Sequence, residues 1–370
     1  MKTQCDSVHA PDIRRDFPAS GFPVRPVPPR AWRNGLAVRM PNHLGDAVMA
    51  LPALASLRRI LPPHCALYVI APAPQQPLYD ALAMTDGMIP LSRCHRFWRR
   101  SEWNELRRLR LGVGVLFNNS LRDALLMRLA GIGSLYGAAA RGRSLLLKRA
   151  FRFPPRPKRK AFGIHQTNRL LAMTRAMGAP EWDGTLPEFR PRPPVDELEP
   201  EITALCDHPR LMTIASGAAY GAAKRWPGEN FRAVAEAWIA QGGIVAVLGS
   251  RAERDICAEA AAGLPESKAF NLAGETQLPE LMHLLKSSRV TGANDSGLMH
   301  LAAALGTPGV AVFGPTDYTA TGPIASNWRL LYEKTECSPC FRRECPDGSR
   351  RCMRALTPEM VIAEVNELVK

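Results

Sequence analysis

The sequence predicts an α/β chain of two Rossmann-like domains facing a central cleft. Three observations carry this expectation. The chain has 370 residues, more than one ordinary domain, and its 46% apolar content is enough for two cores. A strand–turn–helix pattern begins near Gly35 and begins again near Leu211. Between the two halves, Pro187 to Pro200 carries five prolines, the composition of a linker.

The elements follow in order. Residues 1–34 are polar and rich in Pro and Arg, and are expected to be a disordered leader. The first domain is expected over 35–186. It opens with the short strand Gly35 to Met40, the turn Pro41 to Asp46, and a helix from Ala47 to Ile60 that should kink before Pro52. Ala66 to Ala71 and Gly112 to Phe117 read as further strands. The second of these is closed by the polar turn Asn118-Asn119-Ser120 before a helix from Leu121 to Ala130. A linker is expected over 187–208 and a second domain over 209–356. The second domain begins with the strand Leu211 to Ala215, the small-residue loop Ser216 to Pro227 and a helix to Ala240. Further strands follow at Gly243 to Leu248 and Lys268 to Leu272, then a helix from Leu278 to Ser287. Arg289 to Pro315 reads strand, turn, helix, strand, with Asn294-Asp295-Ser296-Gly297 as a capping turn. Thr357-Pro358-Glu359 starts an amphipathic helix to Lys370.

The formal net charge of +14 points to an anionic partner, such as a nucleic acid, a phosphorylated lipid or a nucleotide. Two basic stretches stand out: Arg93 to Arg100, with Phe97 and Trp98 interleaved, and Arg141 to Lys160. No export signal is visible, and no apolar run reaches the ~18 residues of a membrane span. The expectation is a cytoplasmic protein, peripheral at an anionic membrane surface. Nine cysteines, an odd number, agree with a reducing compartment. No helix-turn-helix, paired zinc finger or RNA-recognition string appears, so a nucleic-acid-binding protein is the remote alternative.

Three positions carry chemistry. Asp46 follows Gly45 at the first strand–helix turn, where it is either a general base or an aspartate at a helix start. Lys224 ends a loop holding Gly217 and Gly221. It reads either as a point charge for a phosphate or as an exposed lysine. The helix start at Ser296-Gly297 presents backbone N–H groups and a dipole to an anion. Cys337, Cys340, Cys345 and Cys352 suit a structural zinc or stand as thiols, and no other metal site is expected.

Taken together, three strings resemble glycosyltransferase family 9, the ADP-heptose:lipopolysaccharide heptosyltransferases. They are Asn42-x-x-Gly45-Asp46 with Pro52-x-Leu54, then Ala219-Tyr-Gly-Ala-Ala-Lys224-Arg-Trp-Pro227, then Asn294-Asp-Ser-Gly-Leu-Met-His300 with Phe313-Gly-Pro-Thr316. The segment Cys337-Ser-Pro-Cys340-Phe-Arg-Arg-Glu-Cys345-Pro is similar to the heptosyltransferase II branch. The resemblance covers roughly residues 35 to 370. It implies a GT-B fold with acceptor on the first domain, ADP-sugar on the second, and a last helix returning to the first domain. It also implies inverting transfer of L-glycero-D-manno-heptose from ADP-heptose to the first inner-core heptose, with no cofactor and no metal. A family member with a different nucleotide-sugar or acceptor is the alternative.

By that resemblance Asp46 is the base and Lys224 binds the diphosphate, both counted as catalytic. Asp295, Ser296, Gly297 and His300 belong to the donor site, together with Ser216 and Tyr220. Arg96, Trp98, Arg99 and Arg100 fall in an acceptor loop, joined by Asn42, Asn118, Asn119 and Ser120.

Overall fold

The computed structural model describes residues 6–11, 13, 21–92, 97–154 and 163–370. Strand β1 (Asp6–His9) comes first in the chain. Then β2 (Gly35–Arg39), β3 (Ala66–Pro72), β4 (Gly87–Leu91), β5 (Val113–Leu116), β6 (Ser134–Ala138) and β7 (Arg149–Phe151) form one parallel sheet in the order β4-β3-β2-β5-β6-β7. This is the dinucleotide-fold order, with its reversal between β2 and β5. Residues 13–155 with 165–190 make up this N-terminal unit. Strands such as Gly-Leu-Ala-Val-Arg are buried throughout, because helices cover both faces of such a sheet.

The C-terminal unit repeats the plan. Strands β8 (Leu211–Ala215), β9 (Ile244–Val247), β10 (Ala269–Asn271), β11 (Val290–Asn294), β12 (Gly309–Phe313) and β13 (Trp328–Tyr332) are ordered β10-β9-β8-β11-β12-β13, with β1 added at the far edge. Its reversal lies between β8 and β11. Trp226, Phe231, Val234 and Trp238 fill the core on one side of this sheet.

The helix expected over 47–60 is two helices, Leu44–Met49 and Leu51–Ile60, meeting at Ala50. Pro52 sits at the start of the second, where its missing N–H costs nothing.

At three places expected to be leader, linker and returning helix, the structure shows the following. The leader is not disordered where the structure describes it. β1 pairs antiparallel with β13, because that edge strand otherwise leaves its backbone groups open. Further on, Arg25 and Val27 donate to the carbonyls of Ala176 and Met177, and Trp32 is buried in the helix Pro29–Trp32. The proline-rich segment is not a free linker. The division between units falls at 190/191, and the helix Pro200–Cys206 buries Ile202, Leu205 and Cys206 in the C-terminal unit. The last helix, Pro358–Leu368, buries apolar residues within the C-terminal unit. Val361 and Val365 lie in the core of the C-terminal unit with Trp226 and Val312.

Candidate active site

In the C-terminal unit three neighbouring strands, β8, β11 and β12, send their following loops to one carboxyl edge. The loops meet at Asp295. After β8, Lys224 ends a short 3-10 turn and its Nζ donates to Asp295 Oδ2 at 2.6 Å. After β12, Thr316 Oγ1 donates to the same oxygen at 2.6 Å. The Lys224 side chain is 12% exposed and that of Asp295 5%, so Lys224 is an ordered, largely buried cation rather than a loose surface lysine. An ammonium has three donors, and Asp295 takes one of them.

Asn294, fully buried, binds the loops together. Its Nδ2 donates to the Ser216 carbonyl at 2.6 Å, and its Oδ1 accepts from the Trp226 N–H at 3.0 Å. Ser296 caps the helix Gly297–Ala304, and His300 is buried one turn into it. Ser216 is buried with its hydroxyl on Cys257 Sγ, so its backbone rather than its side chain shapes this edge.

The cysteine-bearing segment packs on these same loops. The Arg343 carbonyl accepts from the Ala223 N–H at 2.9 Å, and the Phe341 carbonyl accepts from the Tyr220 hydroxyl at 2.9 Å. A Cβ on Gly221 would lie 2.4 Å from that Arg343 oxygen, which is why a glycine stands there. Lys224 Nζ sits 4.8 Å from the Tyr220 ring centroid and the Arg343 guanidinium 5.3 Å from it, a cation–π grouping that gathers positive charge beside the loop. Among the described residues no group of three or more His, Cys, Asp or Glu is arranged to hold a metal ion. Cys345 donates to Asp347 at 3.0 Å, and Cys352 is buried, its thiol pushed up to about 11 by burial and by its neighbouring cysteines. The Cys352 sulfur is therefore an inert thiol at neutral pH.

In the N-terminal unit the reversal between β2 and β5 is built around a buried charge pair. Arg39 ends β2, and its Nε donates to Asp123 Oδ2 at 2.8 Å with both side chains at 0% exposure. Its other nitrogens reach the Met40 and Ile70 carbonyls and Asn42 Oδ1. Asp123 also accepts from Asn118 Nδ2 at 2.6 Å, Trp98 Nε1 at 3.2 Å and Arg122. Arg143 donates to the Asn118 carbonyl at 2.6 Å and to Asn119 Oδ1 at 3.3 Å, and Ser120 caps the next helix. The network thus collects Asn42, Asn118, Asn119, Ser120 and Trp98, five of the expected acceptor residues, at one edge. Arg99 and Arg100 start the adjoining helix and are exposed, while Arg96 lies outside the described residues.

Asp46 lies in the first turn of the helix Leu44–Met49, just beyond the Asn42 that Arg39 holds, and is partly exposed. Sequence reasoning missed Arg39 and Asp123 as site-builders, and held Asn294 and Thr316 only as members of the C-terminal string, without a role. The signal for Arg39 was an arginine inside an otherwise apolar strand, which demands a buried partner.

Burial alone would raise the Asp123 carboxyl. The Arg39 and Arg122 charges and the Asn118 amide outweigh burial and hold it below the ordinary carboxylate range. A carboxyl depressed in the folded state stabilises the fold above its unfolded pKa, about 4, and that stability is lost as pH falls through the lower folded value. Removing one donor from this carboxylate should show directly. Trp98→Phe deletes the indole N–H and puts a smaller ring in the core, so the lost bond and the lost packing together should cost about 2 kcal/mol in urea unfolding. An unchanged midpoint would make that bond energetically silent.

A doubly wound unit that gathers a lysine, a hydroxyl and a helix start at its switch point is suited to an anionic group such as a diphosphate. A second unit of the same strand order precedes it in the chain, and two such doubly wound units define the architecture of the GT-B transferases.

Comparison with known proteins agrees. Residues 99–350 match glycosyltransferase family 9 (heptosyltransferase). The sequence is 29% identical over 342 residues to lipopolysaccharide heptosyltransferase 2 of Escherichia coli K12, spanning 89% of this chain and 97% of that one. The fold is similar to the solved ADP-heptose lipopolysaccharide heptosyltransferase II of E. coli, with a TM-score of 0.71 and 26% identity, covering 90% of this chain and 98% of that chain. A family 9 glycosyltransferase from Veillonella parvula gives a TM-score of 0.76 at 20% identity, covering 90% and 96% of the two chains, and supports the fold alone. The chain belongs to glycosyltransferase family 9, the heptosyltransferases, and is an enzyme of GT-B fold.

Proposed function

We propose that this enzyme transfers L-glycero-D-manno-heptose from ADP-heptose to the first heptose of the lipopolysaccharide inner core, with inversion and without a divalent cation. The observation that carries the reading is the convergence of Lys224, Thr316 and the Ser296 helix start on Asp295 at one switch point. The heptosyltransferase 2 name borne by the E. coli relative supports the choice of donor and acceptor.

In this reading Asp46 takes the proton of the acceptor hydroxyl. The acceptor oxygen attacks the anomeric carbon from the side opposite the diphosphate. The bond from that carbon to the diphosphate oxygen breaks, and ADP leaves with its electron pair. A single displacement inverts the centre. The charge growing on the leaving diphosphate meets Lys224 and the N–H groups at Ser296-Gly297, which take the part a metal plays in many transferases. The protein acts from the cytoplasmic side of the membrane, held there by charge, and among the described residues no helix is long and apolar enough to cross it.

The test is transfer from ADP-heptose to a core acceptor that carries the first heptose and lacks the second, with EDTA present and products read by mass spectrometry. The expected product is one heptose heavier, at an undiminished rate. Transfer only from another ADP- or UDP-sugar would move the enzyme elsewhere in the family. A rate abolished by EDTA and restored by magnesium would overturn the metal-free mechanism.

A further inference from the structure

The helix Leu121–Leu129 carries more apolar surface than its core uses. Its inner side is spent on Ala124 and Met127, which are buried. Leu121, Leu125 and Leu129 recur every four residues on another side and are 44%, 45% and 60% exposed. The 3-10 turn Arg143–Leu146 is tied to this helix, with Arg128 Nε donating to the Leu146 carbonyl at 2.7 Å. Leu145 in that turn is 94% exposed. On another flank lies the helix Arg100–Leu109, joined by Trp103 Nε1 donating to the Leu126 carbonyl at 3.0 Å.

The exposed charge on this stretch of the chain is predominantly basic. The exposed charged residues between 97 and 148 are Arg99, Arg100, Glu105, Arg107, Arg108, Arg110, Arg141 and Lys148, with Glu105 the one acid among them. Leucines raised within a basic field match an anionic lipid surface, where apolar side chains enter the headgroup boundary and cations meet the phosphates. A second copy of this chain fits poorly, because a two-fold contact would press the same basic field against itself. Leu121 directly follows Ser120, the last residue of the turn held by the Arg39–Asp123 network.

We propose that Leu121, Leu125, Leu129 and Leu145 form the face by which the N-terminal unit docks onto anionic lipid, setting the Asn118–Ser120 turn close to the bilayer. The inference rests on the lipid-borne acceptor of the proposed function and adds the surface that meets the lipid.

The test uses the full chain and vesicles of phosphatidylglycerol with phosphatidylcholine, against phosphatidylcholine alone, by sedimentation at low and high salt. Wild type should bind the anionic vesicles, and less so as salt rises. The Leu125→Glu/Leu129→Glu variant should bind them roughly tenfold more weakly or worse, as the loss of two inserted leucines implies. Leu145→Glu, at a position almost wholly in solvent and so harmless to the fold, should weaken binding several-fold. All variants should transfer to a deacylated, soluble core saccharide at the wild-type rate. Vesicle binding unchanged in both variants would overturn the proposal. So would a wild-type dimer in gel filtration that the glutamates dissociate, since the ridge would then be an interface between copies. Lack of transfer to the soluble acceptor by wild type would count against the proposed function and leave the lipid surface standing.

Discussion

Asp46→Asn should lower turnover by about 10²–10⁴ while leaving ADP-heptose affinity nearly unchanged. The substitution keeps size, exchanges one acceptor oxygen for an NH2 donor, and removes the charge and with it the ability to accept a proton. The position is favourable for the test. Asp46 stands in the first turn of a helix, and the preceding Asn42 is fixed by Arg39, so the amide should occupy the same place as the carboxylate. Single-turnover rates with saturating donor isolate the chemical step, and donor binding measured separately gives the second half of the prediction. Near wild-type turnover would place the base elsewhere. A parallel loss in donor affinity would mean that Asp46 organises the site rather than taking the proton.

Lys224→Ala should cost roughly 2–4 kcal/mol of transition-state stabilisation, the scale of one preorganised donor, and should lower kcat more than it weakens donor binding. A leaving ADP gains negative charge as the glycosidic bond breaks, so a cation beside it contributes more to the transition state than to the ground state. The structure adds a complication that can be turned into a control. Lys224 is paired with Asp295, and its removal leaves a nearly buried carboxylate held by Thr316. That carboxylate would itself repel a diphosphate. The double variant Lys224→Ala/Asp295→Asn separates the two effects. If Lys224 only neutralises Asp295, the double variant should recover kcat. If the ammonium acts on the diphosphate, kcat should stay low, and Lys224→Arg should restore part of it through charge alone. Wild-type kcat in both single variants at saturating donor would reduce Lys224 to a partner of Asp295.

What the amino-acid order determined by itself is local. Periodicity placed the strand ending at Ala215 and, to within one residue, the strand ending at Arg39, and the small or polar residues after them marked the turns; Asn294, read as part of a capping turn, is instead the last residue of β11. Pro52 predicted a break that the chain makes at Ala50. The strings around Asp46, Lys224 and Asp295 pointed to one family because each is short and continuous. What only the tertiary structure decided is partnership across distance. Arg39 finds Asp123 84 positions away, and Lys224 finds Asp295 71 positions away. Both pairs exist because the strand order reverses between the first and fourth strands of each sheet and sets their loops side by side. The same cause governs the two ends of the chain. β1 reads as a polar leader until the open edge of β13 gives it a partner. The final helix reads as amphipathic without saying what its apolar side meets, and Val361 and Val365 meet the core of their own unit. A residue's period is written in its neighbours. Its partner depends on which strands lie adjacent, and adjacency follows from the burial and pairing of the whole chain.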